Sequence, residues 1–394
     1  MSTAASPRGI ARQLDDPAGL GRAFDELLAA RGEPPVVLAL GEPAHGIEAF
    51  PLLRNEVLRH LVERGYRSIV LETDFFAASV VDDYVGGGTA QIDTVLATGF
   101  SHGFGAVPGN RELVEWLRAH NADRASQDRV RFYGFDAPLE YSAAPSPRRA
   151  LCAVGEYLPA ALRPESFRNL DTLLGEDGNW TNPAAMFDPE ASVGDSNRAR
   201  TLRIVADDLA DAVRRARSSL CPADPAGYAD AVAHARTAQG LLRYHAAMAA
   251  PAPDRFAALL GVRAEMMADN LLAIVSHERR RGPSLVFAHN AHLRRTGSGN
   301  AGALVATSLG ERYLFLATDA SPDSEPGTLQ HVLAEATGRR ALFPVPALRA
   351  ALPPSLGTGE PIVRGHLPLT PADVTGADAV IFITDTDGKQ HQYW

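Results

Sequence analysis

The strongest constraint on this chain is a series of short apolar runs, each cut off by a turn signal and separated from the next by residues with helical spacing. The runs are Val36–Leu40, Ser68–Leu71, Val130–Gly134, Ser284–Ala288, Tyr313–Ala317 and Ala379–Thr384. Apolar runs of about four to eight residues between turn residues read as strands buried on both faces. Between them, Ile47–Arg64 sets Phe50, Leu53, Val57, Leu58 and Leu61 on one stripe, and Asn110–His120 does the same with Leu113, Trp116 and Leu117. Buried strands alternating with amphipathic helices predict an α/β fold with a mainly parallel central sheet flanked by helices.

The middle of the chain breaks the alternation. From about Pro147 to Arg280 no strand pattern stands out, while Asn197–Ser219 and Asp230–Ala250 are Ala/Arg/Leu-rich and amphipathic. We therefore expect residues 147–280 to form a helical insertion lobe within an α/β core made of residues 1–146 and 281–394. A Pro/Ser joint at Ala143-Ala144-Pro145-Ser146-Pro147 enters it.

Composition excludes several classes. The net charge is −9, so the phosphate neutralisation that drives general nucleic-acid binding is not expected. No apolar stretch approaches the roughly 20 residues of a membrane helix, and the N-terminus has no apolar h-region, so a cytoplasmic protein with no membrane partner is expected. The two cysteines, Cys152 and Cys221, form no CxxC or His-Cys cluster. Lys389 is the sole lysine, which leaves no plausible Schiff-base or phosphate-loop lysine inside the core. No GxSxG occurs, so a nucleophile-elbow serine is not expected. Gly297-Ser298-Gly299-Asn300-Ala301-Gly302 fits GxGxxG but reads as a loop leading into strand-like Ala303–Val305.

Ligands of open α/β sheets bind beyond the carboxyl ends of the strands. The first strand is followed by Glu42 and His45, the second by Glu72 and Asp74, the third by Asp136, the fourth by His289, Asn290 and His292. Any one of these is ordinarily a turn residue or helix cap. Four strands sending acids or imidazoles to one edge point instead to a site. A histidine is basic enough to take a proton at neutral pH, and a neighbouring carboxylate fixes its tautomer and raises its basicity.

These segments appear in a specific order: LGEPAHG with Arg54 nine residues after its histidine, then VLETD, FYGFD, RAEMMADN and FAHNAH. From about Val36 to His292 the chain resembles the erythromycin esterase family, which includes succinoglycan-biosynthesis-related proteins. The resemblance implies an α/β core with a helical lobe over the cleft and, in the better-known members, metal-independent hydrolysis. It matches Glu42 and His45 to the family's acid and base, Arg54 to the arginine of the following helix, Glu72 to the glutamate ending the next strand, and His289 to the first histidine of HNxH. These five are the catalytic candidates. Arg54 could hold a substrate carbonyl, stabilise an oxyanion or pair with Glu72, the bland alternative being a surface salt bridge. Asp74, Asp136, His292 and His102 are the substrate-binding candidates.

Some features depart from the family. Arg263 is followed by Ala264 where an acidic residue is usual, and Ser101-His102-Gly103-Phe104-Gly105 replaces residues that are commonly aromatic. Three readings stay open: an esterase or lactonase with His45 as base, a cyclase or lyase using the same residues on a biosynthetic intermediate, and a small-molecule binder without catalysis. The carboxylates and histidines could also serve as metal ligands. The lack of HExxH and the arginine in the cluster argue against that, so no metal or cofactor is expected. Oligomeric state is open.

Overall fold

The structure is a computed structural model that describes residues 6–140, 144–251 and 253–390. It divides into two compact units, one comprising the chain through Phe135 and from Leu271 onward, the other Asp136–Asn270.

The first unit is built on an eight-stranded sheet. In chain order the strands are β1 (Arg12–Gln13), β2 (Val37–Glu42), β3 (Ser68–Asp74), β4 (Arg131–Asp136), β5 (Ser284–His289), β6 (Tyr313–Ala320), β7 (Arg340–Pro344) and β8 (Ala379–Ile383). The spatial order is β1-β7-β8-β6-β2-β5-β3-β4. Pairs β2–β5, β2–β6, β3–β5 and β6–β8 are parallel, whereas β7 runs antiparallel to both β8 and β1. Every residue of β2, β5, β6 and β8 is buried, as expected of strands covered on both faces.

Each of the six strand-like runs overlaps a strand, with Val36, Val130 and Thr384 just outside, and two further strands occur. β1 is a two-residue polar strand, and β7 begins with an arginine and ends at Pro344, so neither shows the long apolar run of a central strand. Residues 303–305, expected as strand-like, instead belong to helix Ala301–Leu309. Asn300 caps this helix, its Oδ1 accepting from the Ala303 amide at 2.8 Å, and cap chemistry overrides the local apolar run.

Helix Ala49–Val62 buries Phe50, Leu53, Val57, Leu58 and Leu61, the stripe read from the sequence, and helix Pro108–Asn121 buries Leu113, Val114 and Leu117. Both stripes join a core that includes Leu38, Leu40, Ile69, Leu285 and Leu314 of the sheet.

The second unit carries helices Arg148–Tyr157, Asn197–Arg215 and Pro225–Met248, and most of helix Arg255–Glu278, which continues into the first unit. Ser196 and Asp224 cap two of them, accepting from Ala199 N at 3.2 Å and Gly227 N at 2.9 Å. Leu151, Val154, Leu202, Val205, Leu209 and Leu242 form a core shared by the first three of these helices. No helix among the described residues is long and apolar enough to cross a membrane.

Candidate active site

Parallel pairing gathers the ends of β2, β3 and β5 at one edge. In register, Glu42 lies opposite His289, and Leu71 lies opposite Phe287, so Glu72 emerges beside Ala288. Residues more than two hundred apart in sequence become neighbours because three strands run in the same direction and stop at the same level.

β2 ends in a turn rather than continuing. Gly46, at φ 94°, lets the chain reverse into helix Ala49–Val62 and turns His45 back over the strand end. His45 Nδ1 sits 2.8 Å from Glu42 Oε1. An ionised carboxylate only accepts, so Nδ1 donates and the ring carries its lone pair on Nε2. Glu42 is 6% exposed, and burial holds its carboxyl above the usual range, opposed by the bond from His45. Gly41 cannot be replaced freely: a Cβ there would lie 2.0 Å from Asn290 Oδ1. Asn290 occupies that space because its side chain is clasped to Thr318, accepting from the Thr318 amide at 3.2 Å and donating to its carbonyl at 2.7 Å.

Glu72 is held from two sides. Its Oε2 accepts from the His289 amide at 2.8 Å, and its Oε1 lies 3.2 Å from His292 Nε2 and 3.8 Å from His45 Nε2. The His45 imidazole thus faces one carboxylate at each ring nitrogen, Glu42 closely and Glu72 at a distance.

The ring of His289 stands edge-on to His45, with centroids 5.3 Å apart. Its Nε2 donates to the Pro43 carbonyl at 3.0 Å, and its Nδ1 accepts from the Ala291 amide at 3.1 Å. Backbone partners therefore define its tautomer. Burial, reinforced by the neighbouring His45, drives its pKa down to about 3, so it is a neutral imidazole at physiological pH.

Arg54 is 1% exposed and so makes no surface salt bridge. Its nitrogens donate to amide oxygens: Asn55 Oδ1 at 2.8 and 3.0 Å, Asn110 Oδ1 at 2.7 Å and Gly109 O at 3.0 Å. The expected option of pairing with Glu72 is not taken up. The guanidinium lies 4.9 Å from the Phe287 ring centroid, and burial pulls its pKa down to about 10, with the charge of Glu42 opposing the shift.

Glu42, His45, Arg54 and Glu72 line one small pocket of about 30 Å3, walled by Phe100, Phe104 and Phe287. Phe104 packs on His45 with ring centroids 4.9 Å apart, and Asn110 both lines the pocket and holds Arg54. Sequence reasoning did not single out Phe104 or Asn110 as site residues. Phe104 lies in the glycine-flanked loop already noted as unusual, which was the available signal.

The remaining candidates sit differently. His102 is buried, at φ 57°, with its ring 5.5 Å from that of Phe104. The Oδ1 of Asp74 accepts from the Phe76 and Ala77 amides at 2.7 and 2.9 Å, as a chain-capping group does. Asp136 is fully buried and paired with Arg263 through contacts of 3.0 and 2.5 Å, both residues belonging to the second unit. The acidic residue missing after Arg263 is thus not needed to give that arginine an anion. Among the described residues, no group of three or more His, Cys, Asp or Glu is disposed to hold a metal ion.

A family model described as erythromycin esterase matches residues 61–357. Three solved structures share the fold: a Bacillus cereus protein (16% identity, TM-score 0.70, 95% of each chain covered), a succinoglycan biosynthesis protein (15%, 0.69, 96% of this chain and 95% of that one), and a mutant of erythromycin esterase EreC in its open conformation (17%, 0.68, 96% of each). No curated protein matches by sequence.

Proposed function

Because the chain belongs to the erythromycin esterase family, we propose that it hydrolyses an ester or lactone of a small molecule, with His45 as the general base. One observation carries this reading: the 2.8 Å contact between Glu42 and His45, with the opposite ring nitrogen facing Glu72 beside a pocket.

In the proposed reaction, His45 Nε2 takes a proton from water as the water oxygen attacks the carbonyl carbon. Glu42 and Glu72 flank the imidazolium that forms and lower its energy. Arg54, a buried cation whose bonds go to amide oxygens, biases the pocket toward the developing oxyanion. Collapse breaks the C–O bond, and the departing alkoxide recovers the proton from His45, giving an acid and an alcohol, or one hydroxy acid from a lactone. His289 enters as a neutral ring against which His45 is set, since its N–H is spent on Pro43 O. His292 steadies Glu72. We assign Asp74 and Asp136 to holding the chain's own donors, and His102 to backing Phe104 at the pocket wall.

The test is a panel of macrolide lactones and simple esters, run in 18O water with and without a chelator. Incorporation of one 18O into the acid, chelator-resistant and abolished in His45→Ala, is the expected result. Turnover of a biosynthetic intermediate without 18O uptake would replace the reading with a cyclase or lyase, and ligand binding with no turnover would replace it with a binder.

A further inference from the structure

We infer that Asp319 and His366, a pair buried outside the pocket lining, are positioning residues that brace the turn carrying His45 and set the orientation of His289. The inference rests on the reading above only in taking that cluster as the reactive centre.

Asp319 stands near the end of β6, and its side chain and that of His366 are both fully buried. Four donors converge on its carboxylate. Oδ1 accepts from Ala320 N at 2.8 Å and His366 Nε2 at 2.9 Å, and Oδ2 accepts from Gln330 Nε2 at 2.8 Å and Leu369 N at 2.9 Å. His366 Nδ1 accepts from Ile362 N at 3.0 Å, so its proton is on Nε2 and points at Asp319. Each carboxylate oxygen thus has two donors, and neither is left unsatisfied.

This node fastens the irregular segment 352–370 to the sheet. Besides Ile362, His366 and Leu369, Gln330 ties it at Gly359 N with a 2.7 Å bond and at Leu369 O with a 2.8 Å bond. Within the fastened stretch, Leu367 N donates to Pro43 O at 2.9 Å, although the Leu367 side chain is 56% exposed. Side-chain packing therefore does not explain the position of Leu367; the adjoining His366 does. Pro43 O is the same oxygen that receives His289 Nε2.

The preceding residue repeats the device. Thr318 Oγ1 donates to Gly41 O at 2.8 Å, and Thr318 clasps Asn290. Consecutive residues of β6 thus hold the carbonyls on either side of Glu42, one directly and one through His366 and Leu367. A purely packed loop could be held as well by apolar residues. Hydrogen bonds add direction, which is what a catalytic imidazole needs.

Leu367→Pro tests this most directly, because it removes the Leu367 N–H while changing neither buried side chain, and Pro368 already favours extended backbone at residue 367. Histidine 15N NMR at neutral pH reads the tautomer of His289 without any substrate. The wild type is expected to show a single Nε2–H form; Leu367→Pro and His366→Leu are expected to show a mixed or broadened one. With an ester substrate, kcat should fall about 10-fold at a KM within about 2-fold, as for a misplaced catalytic group. The acid limb of the kcat/KM profile should move down by about 0.5 pH unit or more as the Glu42–His45 bond loosens. His366→Gln, which keeps an N–H for Asp319, should recover part of the loss. Folded Leu367→Pro with the wild-type His289 signal and pH profile overturns the inference, even if its activity drops. If His366→Leu does not fold, Leu367→Pro alone decides.

Discussion

Glu42→Gln separates catalysis from stability at one atom. Gln retains the shape of the side chain and one oxygen to accept from His45 Nδ1, but the negative charge 2.8 Å from the imidazole is gone. A hydrogen bond to a charged group contributes about 1.5–3 kcal/mol against about 0.5–1.5 for a neutral one. Coulomb attraction across about 4 Å at an effective dielectric near 20 sets an upper limit of about 4 kcal/mol. The imidazolium therefore loses the difference, about 1–1.5 kcal/mol, which is about 5- to 10-fold in kcat/KM at neutral pH. The acid limb of the profile should fall by about 1 pH unit, since a less stabilised imidazolium deprotonates earlier. Stability should move the other way. Burial raises the Glu42 pKa in the folded state, so the native chain is penalised as pH rises through that pKa. Gln carries no such penalty, and urea unfolding at pH 7 should show equal or greater stability with a flatter pH dependence. A variant with wild-type kcat/KM and an unmoved acid limb would refute the role of Glu42; a large loss of stability would refute the reading of its burial.

Other perturbations have equally definite outcomes. Gly41→Ala forces a Cβ against Asn290 Oδ1, so it should destabilise by about 1–3 kcal/mol in urea unfolding, and more if the Asn290–Thr318 clasp opens. His289 has a folded pKa near 3, so its contribution is intact above the unfolded value of about 6.5 and is lost as pH falls toward 3; His289→Asn should flatten stability over that window by up to about 1.4 kcal/mol per pH unit. Asp136→Asn removes the fully buried charge that Arg263 contacts, and a loss of about 3 kcal/mol or more is expected in urea unfolding, with any ester hydrolysis surviving in the folded fraction.

Legibility followed sequence range. The central strands and the two flanking helical stripes could be read because burial on both strand faces, or on one helical face, writes itself into adjacent residues. Strands β1 and β7 could not: β1 is a two-residue exposed strand at the sheet edge, and β7, paired on both sides, buries only Ala341, Leu342 and Phe343, too short a run to stand out. The acids and imidazoles after β2, β3 and β5 were visible as polar residues in the wrong place for a core. Their state was not. Arg54 could be read as a surface salt bridge, yet it is buried among amide oxygens from its own helix and from Gly109 and Asn110.

The sequence by itself determined which residues could reach the carboxyl edge of the sheet, because alternation and turn signals fix where each strand stops. Only the tertiary structure decided which of them meet and in which protonation form. Register sets Glu42 opposite His289, the Pro43 and Ala291 backbone selects the neutral tautomer of that ring, and Asp319 with His366 holds Pro43 from a segment hundreds of residues away. Hydrogen bonds such as His289 to Pro43, between groups 246 residues apart, leave no imprint on local residue choice, so no reading of neighbouring positions could have supplied them.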